Sequence, residues 1–182
     1  GYALAGGDFS FLMTYGAMSR MFGLGILNMK LFRSKRATGI SAKTLQLYWL
    51  VFIFRLASIV RHEGYLPYDK SGDWIYHFFE IVALLLTTSA IYGCMVPFKS
   101  TYQAEQDRFG EMSVPPGMGA IYVAVPVMLV ALLLHPNLNN DLLSDTAWAY
   151  ATYLETCAVI PQLYMFHKQA PGMVDMHTAH YV

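Results

Sequence analysis

The sequence has few charged residues. Only 13% of its 182 residues are Asp, Glu, Lys or Arg, whereas 55% are hydrophobic. A soluble domain usually carries about 25% charged residues. The charged residues are also clustered, so that long apolar stretches remain between the clusters. The composition therefore predicts a protein whose helices lie in a lipid bilayer.

Several kinds of functional site are also missing from the sequence. The formal net charge is zero, which gives no reason to expect a nucleic-acid partner. The two cysteines, Cys94 and Cys157, lie in apolar runs and are interpreted as small buried hydrophobic residues. We find no Cys/His cluster, no glycine-rich phosphate loop and no His-Glu-x-x-His motif. The sequence therefore predicts neither an enzyme nor a bound metal or cofactor.

Five apolar segments are candidate membrane spans, because a bilayer core of about 30 Å needs about 20 helical residues. Their predicted bounds are 11–32, 44–60, 74–96, 120–134 and 146–166, and a polar tail covers 167–182. Kinks are expected at Pro126 in the fourth span and at Pro161 in the fifth. The predicted fold is all-α: residues 1–182 form one transmembrane domain, a polytopic bundle of about five helices.

The chain starts at Gly1 instead of Met, so that we expect a removed leader or a partial sequence. The first apolar run contains Arg20 and is not interpreted as a signal peptide.

The basic residues predict the orientation of the bundle. Loops on the cytosolic side of a membrane carry an excess of Lys and Arg. Eight basic residues flank one side of the predicted spans: Lys30, Arg33, Lys35, Arg36, Lys43, Lys99, Arg108 and Lys168. Only Arg61 and Lys70 flank the other side. The first loop, the third loop and the tail are therefore expected to face the cytosol or its organellar equivalent.

Four charged residues lie inside the predicted spans: Arg20, Arg55, Glu80 and Glu155. Each would cost at least about 2.5–3.5 kcal/mol at the bilayer centre. Two residues of each sign favour a polar cavity in which the arginines pair with the carboxylates. In the alternative interpretation, the long arginine side chains reach an interface and Glu80 lies near one. Glu155 is deepest and too short to do so, which favours an ion-pair or functional role.

Two histidines, His77 and His135, lie in or at the ends of predicted spans. A neutral imidazole in a membrane can bind a haem or another pigment. A hydrogen-bonded histidine near the interface is the commoner case, and both interpretations stay open.

The fifth predicted span contains the stretch Tyr153-Leu-Glu-Thr-Cys-Ala-Val-Ile-Pro-Gln-Leu163, to which Gln162 belongs. This stretch is very close to the fifth-helix signature of the KDEL receptors, the ER lumen protein-retaining receptors, and four further stretches resemble the same family. The other stretches resemble their first loop, second helix, central loop and sixth-helix start: 30–44, 51–55, 98–109 and 180–181. The resemblance covers roughly residues 16–182.

The resemblance implies a seven-helix fold related to PQ-loop and SWEET transporters. It implies binding of Lys-Asp-Glu-Leu-type peptide C-termini in the acidic Golgi and their release in the neutral ER. Arg55 would hold the terminal carboxylate of the peptide, and Glu155 would belong to the pH-sensitive network. Asp145 falls at a ligand-contacting glutamate and Trp148 at a tryptophan lining the site. Arg20, Glu80 and Gln162 are assigned to the polar network.

The sequence also departs from the family at several positions. Arg20 falls at the family's pH-sensing histidine, and an arginine stays charged near neutral pH. Met13 falls at an arginine and Ser58 at an aspartate. The chain ends where the sixth helix would begin, so that the expected fold is an incomplete receptor, truncated after helix five.

Two functions are therefore expected. The first is a retrieval receptor of the ER and Golgi that binds peptide C-termini. The second is a receptor-derived structural subunit of a large organellar complex, for example a photosynthetic or respiratory one in a thylakoid or mitochondrial inner membrane. Expected partners are membrane lipids with either retention-signal peptides or other membrane subunits, and the second function allows bound pigments. A SWEET-like transporter is a weaker third interpretation, because alternating access needs both helix bundles.

Overall fold

The computed structural model describes residues 9–62, 73–111, 114–115, 117–138 and 140–168. This part of the chain is all-helical and contains no strand. The main helices are α1 (Phe9–Ser34), α2 (Ala42–Arg61), α3 (Asp73–Met95), α4 (Ile121–Leu133) and α5 (Leu142–Cys157). Residues 160–168 are helical again, after a turn at 158–159. Most of the predicted tail, including residues 180–181, lies outside the described residues.

The first four helices begin and end within two residues of the predicted spans. The fifth span differs in two ways. It begins at Leu142, before the predicted start, because Asp141 caps the helix by accepting the N–H of Leu143 at 3.1 Å. It is also divided at 158–159, and Pro161 lies in the first turn of the second part, where its missing N–H is not needed.

Two helical stretches are long and apolar enough to cross a membrane, by length and composition: Ala42–Arg61 and His77–Met95. The 13-residue α4 is apolar but shorter. In α1, Leu24 and Leu31 are buried, whereas Phe22, Ile26 and Met29 are each more than half exposed. Large apolar side chains in such number on one helix face suit contact with lipid better than contact with water.

The helices pack in the spatial order α1, α3, α2, α5, α4. Small side chains bring α1 and α3 together: Ala90 and Cys94 of α3 are fully buried. A Cβ atom on Gly93 would lie 2.7 Å from Cδ2 of Leu31, so that a larger residue here would force the Leu31 side chain to shift. Small residues at a contact let two helices pack closely, as is common in membranes.

A buried carboxylate joins the third loop to the N-terminus of α2. Asp107 is 1% exposed and accepts hydrogen bonds from the Ser41 hydroxyl at 2.7 Å, the Ala42 amide at 2.8 Å and the Tyr102 hydroxyl at 2.5 Å. Burial and the hydrogen bond to Asp107 raise the pKa of the Tyr102 hydroxyl well above its ordinary value. A negative charge is favourable at a helix N-terminus, where amide groups lack partners within the helix.

The buried Lys43 completes this junction. Its ammonium group donates to the backbone oxygen of Asp107 and to Oε1 of Glu111, the latter at 2.8 Å. Partial burial opposes ionisation of Glu111, but the hydrogen bonds from Lys43 and the Gly117 amide, with the charges of Lys43 and Arg108, together outweigh it and lower the pKa of Glu111. The loops thus neutralise a lysine that would be costly to bury alone.

Gln162 ties the helical residues 160–168 to the same end of the bundle. Its side-chain oxygen accepts the Ser41 amide at 2.8 Å, and its side-chain nitrogen donates to the Gly39 oxygen at 2.8 Å. Its backbone amide donates to Oγ1 of Thr44 at 3.0 Å. The first loop, the third loop and the last helical segment therefore meet at one end of the bundle, which agrees with the predicted grouping of basic residues. The orientation in the membrane stays a prediction.

We expect Asp107→Asn to lower the free energy of unfolding by about 3 kcal/mol, because it removes the charge that satisfies the N-terminus of α2. Glu105→Gln is the matched control, since Glu105 is exposed in the same loop. Denaturant unfolding of the purified protein in detergent measures both variants. Equal stability of the two variants would contradict the role given to Asp107.

Candidate functional site

Four helices each place one charged side chain in the middle of the bundle. Arg20 comes from α1, Arg55 from α2, Glu80 from α3 and Glu155 from α5. Their side chains are 16%, 7%, 0% and 28% exposed, respectively. We call these four residues the charged ring.

The arginines and glutamates of the charged ring alternate. Nη2 of Arg20 lies 2.6 Å from Oε1 of Glu80, and Nη1 of Arg20 donates to Oε1 of Glu155. Nη2 of Arg55 lies 2.5 Å from Oε2 of Glu155, and Nη1 of Arg55 lies 3.5 Å from Oε1 of Glu80. Each guanidinium therefore bridges two carboxylates, and two positive charges balance two negative ones.

The pairing expected from the cost of burial is thus present. Arg20 is also held over the ring of Phe52, with 5.6 Å between Cζ and the ring centroid, which suits a cation–π contact. These contacts favour pairing over the alternative in which the arginines reach an interface. The arrangement places two planar guanidinium forks, the groups best suited to bind a carboxylate, in a largely buried site.

Two other predicted ligand residues lie further along α5. Asp145 and Trp148 precede Glu155 by ten and seven residues, which is about 15 and 10 Å at the rise of an α-helix. Asp145 is buried and accepts the Leu138 amide at 3.1 Å. The indole nitrogen of Trp148 is buried without a hydrogen-bond partner among the described residues. The structure does not bring either residue into the charged ring.

The departures from the family have structural roles here. The hydroxyl of Ser58 donates to the Ser144 oxygen at 2.9 Å and so joins α2 to α5. Met13 packs against the buried Ile59. Gln162, grouped with the polar network from the sequence, makes its hydrogen bonds at the first loop instead.

The histidines contact backbone oxygens. Nε2 of His77 lies 3.1 Å from the Ile59 oxygen, and Nδ1 of His135 lies 3.1 Å from the Leu132 oxygen. In the described ranges, no three His, Cys, Asp or Glu side chains form a group that could hold a metal ion. Binding of a pigment or haem by these histidines stays a prediction.

One further polar cluster was missed in the sequence, because its two parts are far apart in the chain. Nε2 of His62 lies 3.0 Å from Oδ2 of Asp141, which also accepts the Ser144 hydroxyl at 2.8 Å. The hydrogen bonds from His62 and Ser144 lower the pKa of Asp141 to about 2. The only signal in the sequence was an aspartate just before an apolar run, which is typical of a helix cap.

The sequence was also compared with known proteins. The family described as ER lumen protein retaining receptor matches residues 36–182. The chain belongs to this family. Its relatives include the ER lumen protein-retaining receptor erd-2.2 of Caenorhabditis elegans, 30% identical over 91% of this chain and 67% of that protein. The human ER lumen protein-retaining receptor 2 is 27% identical over 92% of this chain and 68% of that protein.

The recognition made from the sequence is therefore confirmed, and so is the all-helical membrane fold. The chain spans about two thirds of the length of these receptors. Membership in a family of receptors gives no reason to expect enzymatic activity.

We expect the charged ring to behave as one unit. Glu80→Gln should lower the free energy of unfolding by about 3 kcal/mol, because it leaves an excess positive charge in a buried site. Combining it with Arg20→Gln restores the balance of charge, so that the double variant should lose at least about 1 kcal/mol less than the sum of the two single losses. Denaturant unfolding in detergent measures the three variants, and additive losses would show that the residues act separately.

Proposed function

We propose that this chain is a retention-signal receptor of the ER and Golgi membranes, and that the charged ring receives the terminal carboxylate of its peptide ligand. The observation that carries the proposal is the contact between Arg55 and Glu155. The buried Nη2 of Arg55 already holds a carboxylate oxygen at 2.5 Å. A peptide carboxylate has the same chemistry and would make the same charge-assisted hydrogen bond.

Charge balance then determines how the ligand enters. Adding a carboxylate to a neutral ring leaves one excess negative charge, which is unfavourable in a buried site. Glu155 is the most exposed member of the ring and is the carboxylate that the ligand replaces on Arg55. Taking up a proton on Glu155 removes the excess charge. Peptide binding is therefore coupled to proton uptake and is stronger at acidic than at neutral pH.

The proton acceptor in this proposal is a carboxylate, whereas the family has a pH-sensing histidine in its first helix. Arg20 occupies the corresponding place in α1 and carries a permanent charge. Its contacts with Glu80 and Glu155 keep both carboxylates near Arg55. In this proposal a ring carboxylate carries the pH response, and Arg20 holds the remaining negative charge while the ligand is bound.

The test is a titration of the purified protein with a peptide ending in Lys-Asp-Glu-Leu, at acidic and at neutral pH. We expect binding at least about tenfold tighter at acidic pH, a difference of about 1.4 kcal/mol. Arg55→Ala should abolish the binding, and Arg55→Lys should weaken it because the planar fork is lost. The same peptide with an amidated C-terminus is the matched control and should not bind. Absence of binding by the free-acid peptide at both values of pH would rule the proposal out.

A second candidate function rests on the closure of the ring. Both terminal nitrogens of Arg55 and of Arg20 already contact glutamates, so that the ring is complete without a ligand. In this second candidate, the ring holds the helices together and binds no ligand. The chain would then be a structural subunit of a larger membrane assembly.

This second candidate predicts that the chain migrates with a large complex on a native gel of solubilised native membranes. It also predicts that the protein does not bind the peptide ending in Lys-Asp-Glu-Leu. Migration only as a small free species would count against it.

A further inference from the structure

A cavity of about 420 Å³ lies at the first-loop end of the bundle, between α1, the start of α2 and residues 160–168. Cavities of about 300–1,000 Å³ are typical of sites for small ligands. No member of the charged ring lines this cavity. It is therefore a separate place at which a ligand could bind.

The inner wall of the cavity is apolar. Along α1 it extends from Lys30 at the loop end to Leu24, which is about 9 Å at the rise of an α-helix. The apolar side chains of this wall come from α1, α2 and the last helical segment: Leu24, Leu27, Leu31, Leu45, Tyr48 and Phe166. Such a wall suits a hydrocarbon chain and offers little to a polar solute.

The rim of the cavity is basic. Lys30 and Arg36 both line it, and no Asp or Glu does. Both side chains are exposed, and in the part of the chain that the structure describes neither forms an ion pair. Two acidic residues of the third loop that contact the start of α2 already have partners, since Asp107 caps α2 and Glu111 pairs with Lys43. The rim therefore carries positive charge that an anionic group would balance.

We propose that this cavity binds one anionic phospholipid. The phosphate group lies between Lys30 and Arg36, and one acyl chain lies along α1 as far as Leu24. A soluble anion would use only the rim, and a neutral lipid would use only the wall. An anionic lipid uses both, and basic pockets between membrane helices are a known mode of binding for anionic headgroups.

The location of the cavity fits this ligand. Lys30 and Arg36 belong to the first-loop segment, whose basic residues predict the cytosolic side of the membrane. Cytosolic leaflets are rich in anionic lipids, and each Lys or Arg near the surface contributes to their attraction. The Gln162 contacts hold the first loop beside residues 160–168, so that the rim and the wall form one cavity.

The test uses native mass spectrometry of the full chain in detergent, titrated with phosphatidylserine and with phosphatidylcholine of the same acyl chains. Lys30→Gln with Arg36→Gln should weaken phosphatidylserine binding about tenfold or more, because both rim charges are lost. The matched control is Arg33→Gln with Lys35→Gln, which removes the same charge from neighbouring exposed residues that do not line the cavity. The control should change binding less than about twofold, because the two charges that it removes lie outside the cavity.

Three results would overturn the proposal. Equal losses in the two double variants would show a general attraction of the basic segment. Equal binding of phosphatidylcholine would show that the rim charge selects nothing. Competition by soluble glycerophosphoserine or inorganic phosphate at the concentration of the lipid would show a site for a free anion. No peptide is present in this titration, so that its outcome is independent of the proposed receptor function.

Discussion

A charged side chain inside a bilayer needs an opposite charge beside it, and this requirement organises the middle of the molecule. Arg20, Arg55, Glu80 and Glu155 come from four different helices, and each lies against residues of the opposite sign. Replacing buried pairs by apolar residues often costs little, whereas removing one partner alone is strongly destabilising. Because a helix displaced along its axis would lose its partners, the ring selects one mutual position of α1, α2, α3 and α5.

The same requirement creates a competition at Arg55. Its guanidinium stabilises the packing of the helices through Glu80 and Glu155, and it is also the group best suited to hold the carboxylate of a ligand. A ligand gains a strong hydrogen bond only after the partner already present has been displaced or neutralised. If Arg55 receives a peptide carboxylate as proposed, the affinity depends on the difference between two ion pairs, and one proton on Glu155 changes that difference.

The two ends of the bundle solve a related problem with different residues. At the first-loop end, Asp107 satisfies the N-terminus of α2 and a buried lysine is neutralised by the third loop. At the other end, Asp141 caps α5 and is hydrogen-bonded to His62, the residue that follows α2. In both places an aspartate from a loop satisfies unpaired amide groups of a helix that would otherwise lie near lipid.

Much of this could be predicted from the sequence. The positions of the helices follow from apolar runs, and the charged ring residues stand out because charge is rare within such runs. An interruption of the last span was expected at Pro161, and the turn lies slightly earlier, at 158–159, because Pro161 occupies the first turn of the next helical segment. Gln162 was grouped with Arg20 and Glu80, but its hydrogen bonds are to Gly39, Ser41 and Thr44. Its motif indicates a family and says nothing about which groups the side chain contacts.

The sequence by itself determined the class of the protein, its family and the list of charged residues that must be paired in the membrane. Hydrophobicity and the cost of burying charge act on each residue locally, and they can be assessed along the chain. Only the tertiary structure decided that Arg55 lies against both glutamates, that Asp107 reaches α2 and that Lys30 shares a cavity with Phe166. These contacts join residues far apart in the chain, and they depend on how the helices are arranged in space.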